Sequence, residues 1–237
     1  MTKEASPKPI SSAVEDYLKA IFELGEEDVK TQELASALKV SAASVTGMVK
    51  KLSELNLVDY ERYYGVSLTS AGRLIALETL RHHRLIETYL MQALGYAWHE
   101  VHDEAERLEH VISEDFEERI AELLGNPTHD PHGDPIPQRD LTLPQRRGVP
   151  LTSFEVGQNV EITRITNQDP EVLRYLATHD LVPGNRFEVV EHAPFAGPLT
   201  LKREGDSFAI AHTLAQTIFA RAEQDANSTQ PIEKDVT

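Results

Sequence analysis

Imidazole and carboxylate side chains recur at helical spacing in the middle of this 237-residue chain. They are His83 and Glu87, followed by His102, Glu106, Glu109 and His110. On a helix, at about 100° per residue, the last four cover roughly a quarter to a third of the circumference and border an apolar arc at Val101, Ala105 and Leu108. Acceptor side chains that converge beside a buried face repel one another unless a cation neutralises them. The spacing therefore predicts a divalent-metal site. The alternative is a solvated, charged helix edge.

Composition restricts the ligands and partners of such a site. The sequence has no cysteine, so a metal must be held by histidine nitrogen and carboxylate oxygen. The net charge of -16 argues against general polyanion binding, but it leaves room for a DNA reader whose basic residues are local. No apolar run is long enough to span a bilayer, and the N-terminus has no signal-peptide core. These features predict a cytoplasmic protein without a membrane partner.

Three short helices and a strand pair are predicted before the metal-ligand types. The pattern Ser12-x-x-Glu15 is a capping-box candidate for the first helix. A second helix is predicted from Thr31 to Leu38, and a third from Ala42 to Leu55 with Ser41 as its cap. Strands at 57–60 and 65–68 complete the pattern of a winged helix-turn-helix.

The remainder predicts a mainly α protein with a small β domain. Long helices are expected at about 70–94 and 98–124, and β-rich runs from 151 surround a short helix near 170–178. We therefore divide the chain into a winged-helix domain at 1–71, a helical domain at 72–137, a linker at 138–150 and a small β-barrel at 151–223. Residues 1–10 are expected to be a flexible arm and 224–237 a disordered tail.

The winged helix carries candidate DNA contacts. The N-terminus of the third helix favours phosphate, the lysines near its end suit backbone phosphates, and the wing tip adds two more side chains. Such a helix offers few long donors, so readout should depend on DNA shape and apolar contacts. A winged helix can also be a protein-interaction module. The candidate DNA-binding residues are Ser41, Ala43, Ser44, Thr46, Lys50, Lys51, Arg62 and Tyr63.

Five passages of the chain resemble one known family. They are Glu15-Asp16-Tyr17-Leu18, Leu68-Thr69-Ser70-Ala71-Gly72, the run from Arg81 to Glu87, the block from Val101 to His110, and Asp134-Pro135-Ile136-Pro137. Over about residues 12–222 the chain is similar to the diphtheria toxin repressor family, and within it to three-domain manganese transport regulators. The resemblance implies a homodimeric repressor of manganese or iron uptake genes, activated by Mn²⁺ or Fe²⁺, that binds a palindromic operator in double-stranded DNA. It also implies a dimer interface within 72–124 and an SH3-like, FeoA-type C-terminal barrel.

The resemblance further implies a primary metal site at Asp16, Glu106, Glu109 and His110, with His83 in reach. Iron-responsive members have Met and Cys at the first two of these positions. Carboxylates there favour the hard ions Mn²⁺ and Fe²⁺. Binuclear manganese regulators have a Glu one turn after the Asp, where this chain has Lys19. That departure argues against a binuclear site and for a separate second site, so that each chain would hold two ions.

The resemblance offers two versions of this second site. One uses His83, Glu87 and His102. The other uses Glu87 with Asp130 and His132. The C-terminal domain can add a ligand from the loop at 167–169, where Asp169 is the best oxygen donor.

Two other functions compete with this interpretation. A di-metal carboxylate enzyme would place Glu-x-x-His motifs on paired helices, whereas here Glu109 and His110 are adjacent. We therefore expect a regulator and not an enzyme. The second competitor is a metal-independent winged-helix regulator that senses a small molecule or protein through its C-terminal domain. DNA binding that is insensitive to chelator would favour it.

Overall fold

The computed structural model describes residues 10–61 and 64–223. The chain divides into two compact units. The first contains the described residues as far as Pro131 together with Pro135–Gln145. The second contains His132–Asp134 and the chain from Arg146 onward. The predicted tail at 224–237 and all but the last residue of the predicted arm lie outside the described residues.

The first unit begins with the winged helix that the sequence predicted. Its elements are α1 (Ser12–Glu23), α2 (Thr31–Ala37), α3 (Ala42–Glu54), β1 (Val58–Glu61) and β2 (Gly65–Leu68). The two strands pair antiparallel, with Val58 opposite Leu68. Leu18, Ile21, Leu34, Val49 and Leu52 are fully buried in the shared core. Burial of the apolar face of each helix therefore holds the three helices together.

The capping box predicted for α1 is wrong. The residue before α1 is Ser11, and its side chain makes no capping hydrogen bond. The carboxylate of Glu15 lies instead 2.5 Å from Nδ1 of His110, which is 95 residues away along the chain. The Glu15 carboxylate, which the local pattern assigned to the start of α1, therefore makes a tertiary contact instead.

A single helix, α4 (Ser70–Leu94), connects the winged helix to the rest of the unit and confirms the helix predicted at 70–94. Thr69 Oγ1 accepts a hydrogen bond from the Gly72 amide at 3.1 Å, which caps the first turn. A β-carbon at position 72 would lie 2.0 Å from the Leu57 carbonyl oxygen. Glycine is therefore required there, because α4 begins in direct contact with the backbone that precedes β1.

The single helix predicted at 98–124 is wrong. The structure has α5 (Val101–Leu108) and α6 (Glu114–Leu123), separated by a turn. The Ser113 side chain accepts a hydrogen bond from the Phe116 amide at 3.3 Å and so starts α6 as a separate helix. Val101 and Ala105 of α5 are fully buried in a cluster with Ile86 of α4. The turn leaves Glu109 and His110 at the C-terminal end of α5, beside α1 and α4.

The segment at 135–145 belongs to the first unit, although the sequence indicated a linker from 138. Leu141 and Leu143 pack against the winged-helix core. Arg81 and Arg84 of α4 donate hydrogen bonds to the carbonyl oxygens of Pro137 and Pro135 at 2.7 and 2.6 Å. These contacts hold the proline-rich chain against α4.

The second unit is built on one antiparallel sheet. Its strands are β3 (Val149–Pro150), β4 (Asn159–Ile165), β5 (Arg186–His192), β6 (Leu199–Arg203), β7 (Asp206–Ile210) and β8 (Ile218–Ala222), in the order β3-β8-β4-β5-β6-β7. The helix α7 (Pro170–Thr178) confirms the predicted short helix, and α8 (His212–Ala215) precedes β8. Alternate residues such as Val160, Ile162, Phe187 and Val189 are buried, as a half-buried sheet requires. None of the described helices is long and apolar enough to span a bilayer.

Candidate metal centre

Three helices of the first unit bring the predicted ligands together. Helix α1 supplies Asp16, α4 supplies the pair His83 and Glu87, and α5 with the turn after it supplies the remainder. The i, i+4 spacing of His83 and Glu87 places both on one face of α4, towards α5. The apolar residues beside them are buried, so the polar cluster lies at the edge of the core as the sequence predicted. The ligands from α5 and its turn are His102, Glu106, Glu109 and His110.

One group joins α1 to the end of α5. Asp16, Glu109 and His110 each offer a ligand atom, and these atoms all lie within 4.8 Å of one another. His110 Nε2 is 2.8 Å from Asp16 Oδ1 and 3.3 Å from Glu109 Oε1. Glu109 is 1% exposed, and burial raises the pKa of Asp16 despite the nearby positive charges. Two carboxylates and an imidazole in this arrangement fit a hard divalent ion.

A second group joins α4 to α5. His83, His102 and Glu106 also offer ligand atoms within 4.8 Å of one another. His83 Nε2 lies 3.2 Å from His102 Nδ1 and 3.0 Å from Glu87 Oε1, and Glu87 Oε1 is 3.4 Å from His102 Nδ1. The residues of one predicted version of the second site are therefore neighbours. Imidazole nitrogens and a buried carboxylate fit a transition-metal ion.

The charge of His83 depends on these neighbours. Burial opposes its protonation, yet the charge of Glu87 and hydrogen bonds with Glu109 and Glu87 raise the pKa of His83 from 6.5 to about 10. Its Nδ1 donates to Glu109 Oε2 at 2.5 Å. Burial also acts against ionisation of Glu109, but hydrogen bonding and charge from His83, with Lys19, lower the pKa of that carboxyl. These neighbours favour the protonated form of His83, whose positive charge would balance the carboxylates of Glu87 and Glu109.

Lys19 is a functional candidate that the sequence did not assign to the centre. Its ammonium donates to Glu106 Oε1 at 2.7 Å and to both oxygens of Glu109, at 2.6 and 2.9 Å. Burial lowers the pKa of Lys19, but the charges of Glu109 and Glu106 more than offset burial and raise it. The only local signal was its position one turn after Asp16, on the same face of α1.

Glu15 and His82 position the ligands and were also missed. Glu15 accepts from His110 Nδ1, which turns Nε2 towards Asp16 and Glu109. His82 Nδ1 lies 3.0 Å from the carbonyl oxygen of Glu109, and its Nε2 lies 3.0 Å from Glu117 Oε2. His82 thus links the backbone of a candidate ligand to α6. His82 was not predicted from the sequence, because no local pattern shows these partners.

The remaining candidate ligands divide between the two units. Asp130 belongs to the first unit, where it is buried and its Oδ2 lies 3.6 Å from Arg84 Nε. His132 belongs to the second unit and is fully buried, with its carbonyl oxygen accepting from the Ile165 amide. Asp169, also in the second unit, caps α7 by accepting from the amides of Glu171 and Val172. Their roles as metal ligands stay predictions.

The predicted DNA-binding residues on α3 are accessible. Ser41, Ala43 and Ser44 are exposed at its N-terminus, and Lys50 and Lys51 are exposed near its end. Ser41 is the predicted cap, since its side chain accepts from the Ser44 amide at 3.1 Å. Thr46 instead donates its hydroxyl to the Ala42 carbonyl oxygen at 2.9 Å, within the helix. Predictions at positions 62 and 63 lie outside the described residues.

Family profiles match three successive regions of the chain. Residues 10–66 match the N-terminal DNA-binding domain of iron-dependent repressors. Residues 69–138 match their metal-binding and dimerisation domain, and residues 149–222 match the FeoA domain.

The similar proteins and solved structures are described as repressors or regulators. The chain is 31% identical over 218 residues to the iron-dependent repressor IdeR of Mycobacterium leprae, covering 86% of this chain and 94% of the relative. It is 29% identical over 223 residues to the diphtheria toxin repressor of Corynebacterium diphtheriae, covering 89% and 97%. A solved manganese-dependent transcriptional repressor in complex with manganese has a TM-score of 0.82 and 38% identity, covering 89% of this chain and 100% of that one. The manganese regulator SloR has a TM-score of 0.74 and 34% identity, covering 89% and 98%.

Proposed function

The chain belongs to the iron-dependent repressor family and is a metal-dependent DNA-binding repressor, and we propose that Mn²⁺ or Fe²⁺ activates it at a primary site formed by Asp16, Glu106, Glu109 and His110. The donor set supports these ions, because three of the four side chains offer carboxylate oxygen and the sequence contains no thiolate. Resemblance to a structure described as manganese-dependent supports the same choice.

The observation that carries this proposal is the position of the ligands on different elements. Asp16 lies on α1 of the winged helix, whereas Glu109 and His110 lie at the end of α5, in the region that matches the metal-binding and dimerisation profile. A bound divalent ion would supply positive charge where these carboxylates converge. Ligation by both elements would fix the position of α1, and hence of the winged helix, relative to α5. Metal and DNA would then raise each other's affinity by the same factor, typically 5–150-fold, roughly 1–3 kcal/mol.

A second ion is proposed at His83, Glu87 and His102, so that each chain holds two. The distances of 3.0–3.4 Å among their facing atoms support this set. Its function would be to brace α4 against α5, since none of the three residues lies on α1. Primary-site ligands should therefore matter more for DNA binding. Metal stoichiometry tests the two remaining possibilities. Variants of Asp130 and His132 test the ligand set that includes Glu87, and variants of Asp169 test its contribution.

Homodimerisation and binding to a palindromic operator complete the proposal. Val111, in the turn after α5, is 74% exposed, and Phe116 and Leu123 of α6 are 45% and 69% exposed. Exposed apolar side chains in a region that matches a dimerisation profile support a self-complementary interface. A twofold dimer presents two copies of α3 to two half-sites. We place its action in the cytoplasm, with metal-uptake genes as targets.

DNA retention on the protein's own promoter region tests the proposal. Wild type and Asp16→Asn would be titrated against labelled DNA in chelator and then with Mn²⁺, Fe²⁺ or Zn²⁺. Asp103→Asn is the matched control, because Asp103 is an exposed carboxylate on α5 that belongs to neither ligand group. We expect Mn²⁺ to strengthen DNA binding by about tenfold or more in wild type and the control, but not in Asp16→Asn.

Two results would contradict the proposal. Wild-type DNA binding that differs by less than about threefold between chelator and metal would favour the metal-independent regulator. Full metal activation of Asp16→Asn would exclude α1 as a source of the ligand.

A further inference from the structure

Lys19 is a buried cation attached to the same helix as Asp16. It is 6% exposed, and its ammonium makes three short contacts with carboxylate oxygens, one on Glu106 and two on Glu109. An ammonium has three donor hydrogens, so all three are used within the centre.

The oxygens that Lys19 holds are also candidate metal-ligand atoms. Glu109 Oε1 faces His110 Nε2 at 3.3 Å in one ligand group. Glu106 Oε1 faces His83 Nδ1 and His102 Nε2 at 3.8 and 3.9 Å in the other group. Glu106 and Glu109 are both proposed ligands of the primary site, although the Glu106 oxygen lies near the imidazoles of the second group, and the ammonium bridges these two carboxylates.

A surface cleft connects this point with solvent. It has a volume of about 500 Å³, and its lining includes Asp16, Lys19, His102 and Glu106. The Glu106 side chain is 38% exposed, whereas that of Glu109 is fully buried. Lys19 lines this cleft and Glu109 does not, so an ion that entered through it would meet the ammonium before Glu109.

We propose that Lys19 is a built-in countercation that competes with divalent metal for Glu106 and Glu109 and so raises the metal concentration at which the protein responds. This inference rests on the proposed metal site. A fixed positive charge beside a ligand oxygen repels an incoming cation, and hydrogen bonds to the ammonium occupy lone pairs that the ion needs. The same ammonium stabilises the metal-free protein, because it neutralises a carboxylate that is almost inaccessible to water.

Competition with metal and stabilisation of the metal-free protein together distinguish this role of Lys19 from that of a merely structural ion pair. Removal of the ammonium should destabilise the metal-free protein while strengthening metal binding. If Lys19 only held the ligands in place, its removal would weaken metal binding as well.

The test uses the full-length protein, freed of metal with chelator, and Mn²⁺ alone as the probe. Lys19→Met removes the charge but keeps a long apolar side chain, and Lys19→Arg keeps the charge. Lys202→Met is the matched control, because Lys202 is an exposed lysine on β6 that belongs neither to the ligand groups nor to the candidate DNA-binding residues. Calorimetry gives the Mn²⁺ dissociation constant and stoichiometry, and thermal unfolding is followed with and without Mn²⁺.

We expect Lys19→Met to lower the Mn²⁺ dissociation constant by about tenfold or more, equal to roughly 1.4 kcal/mol. Lys19→Arg and Lys202→Met should stay within about threefold of wild type. The unfolding temperature of Lys19→Met should fall without metal and recover with Mn²⁺, so its metal-induced increase should exceed that of wild type. A DNA-retention series should show its midpoint at a lower Mn²⁺ concentration.

Unchanged or weaker Mn²⁺ binding by folded Lys19→Met would overturn the inference while leaving the metal site itself intact. If Lys19→Met is unfolded without metal, Mn²⁺ should restore its folded spectrum. A failure of both Lys19→Met and Lys19→Gln to fold at saturating Mn²⁺ would assign Lys19 a structural role and would also overturn it. Absence of Mn²⁺ binding in wild type would instead contradict the proposed function, and the inference with it.

Discussion

Replacement of Glu109 by glutamine should have the largest effect of any single change in the centre. The carboxylate is 1% exposed and accepts hydrogen bonds from Lys19 at 2.6 and 2.9 Å and from His83 at 2.5 Å. Glu109→Gln keeps the shape of the side chain but removes the charge that faces both cations.

The size of the effect follows from the partners that remain. Removal of one member of a buried ion pair costs roughly 3–5 kcal/mol. Here Lys19 keeps Glu106 at 2.7 Å and His83 keeps Glu87 at 3.0 Å. We therefore expect a loss of about 2–3 kcal/mol in the free energy of unfolding of the metal-free protein, below the usual range. For a chain of this size, that corresponds to a decrease of roughly 4–12 °C in the unfolding temperature.

The assay combines thermal unfolding in chelator with Mn²⁺ calorimetry. Glu122→Gln on the exposed side of α6 is the control for loss of one negative charge. Hydrogen bonds and charge lower the pKa of Glu109 below its ordinary 4.5, so its contribution to stability is fully present above about pH 4.5. The contribution disappears as the pH falls through the lowered pKa, and the stability difference between wild type and Glu109→Gln should shrink there.

Metal binding gives the second readout. Glu109→Gln should bind one Mn²⁺ fewer per chain and should lose metal-activated DNA binding. A metal-free unfolding temperature equal to that of Glu122→Gln, together with full Mn²⁺ stoichiometry, would refute both the electrostatic argument and the assignment of Glu109 as a ligand.

Further predictions address the other ligands and the pH dependence. Glu106→Cys should strengthen activation by Fe²⁺, Co²⁺ or Zn²⁺ relative to Mn²⁺, because thiolate is the softer ligand; an unchanged order in a DNA-retention series would contradict this. Glu87→Ala should weaken metal activation without abolishing it and should remove one ion per chain in calorimetry; full stoichiometry and activation would exclude a second site there. Loss of that ion in an Asp130→Ala, His132→Ala double variant would identify the alternative ligand set, whereas unchanged stoichiometry would favour His83 and His102. The pKa of His83 is raised to about 10, so its stabilisation of the metal-free protein should be fully present below about pH 6.5 and lost as the pH rises through about 10. Because His83 must lose its proton to bind a metal ion, Mn²⁺ binding should release protons at neutral pH. Calorimetry in buffers of different ionisation enthalpy measures the number of protons released, and a value of zero would contradict the prediction.

Local patterns in the sequence were sufficient for the order of elements and the types of ligand. The apolar periodicity at 70–94 predicted a helix and the runs from 151 predicted a β domain, and the structure confirms both as α4 and the antiparallel sheet of the second unit. The prediction of one helix at 98–124 was wrong at the turn before Ser113, because periodicity does not reveal where a side chain will cap a new helix.

The sequence by itself determined that imidazoles and carboxylates without any thiol would line one edge of a helical core. Only the tertiary structure decided which of them meet. Glu15 and His110 are separated by 95 residues, and Lys19 and Glu109 by 90, so no helical period relates them. Their contacts exist because α1 and α5 both pack against α4, and burial of apolar faces drives that packing without regard to the polar residues at the edge. As a result, Glu15, a capping candidate in the sequence, contacts the candidate ligand His110, and Lys19 lies between the carboxylates of Glu106 and Glu109.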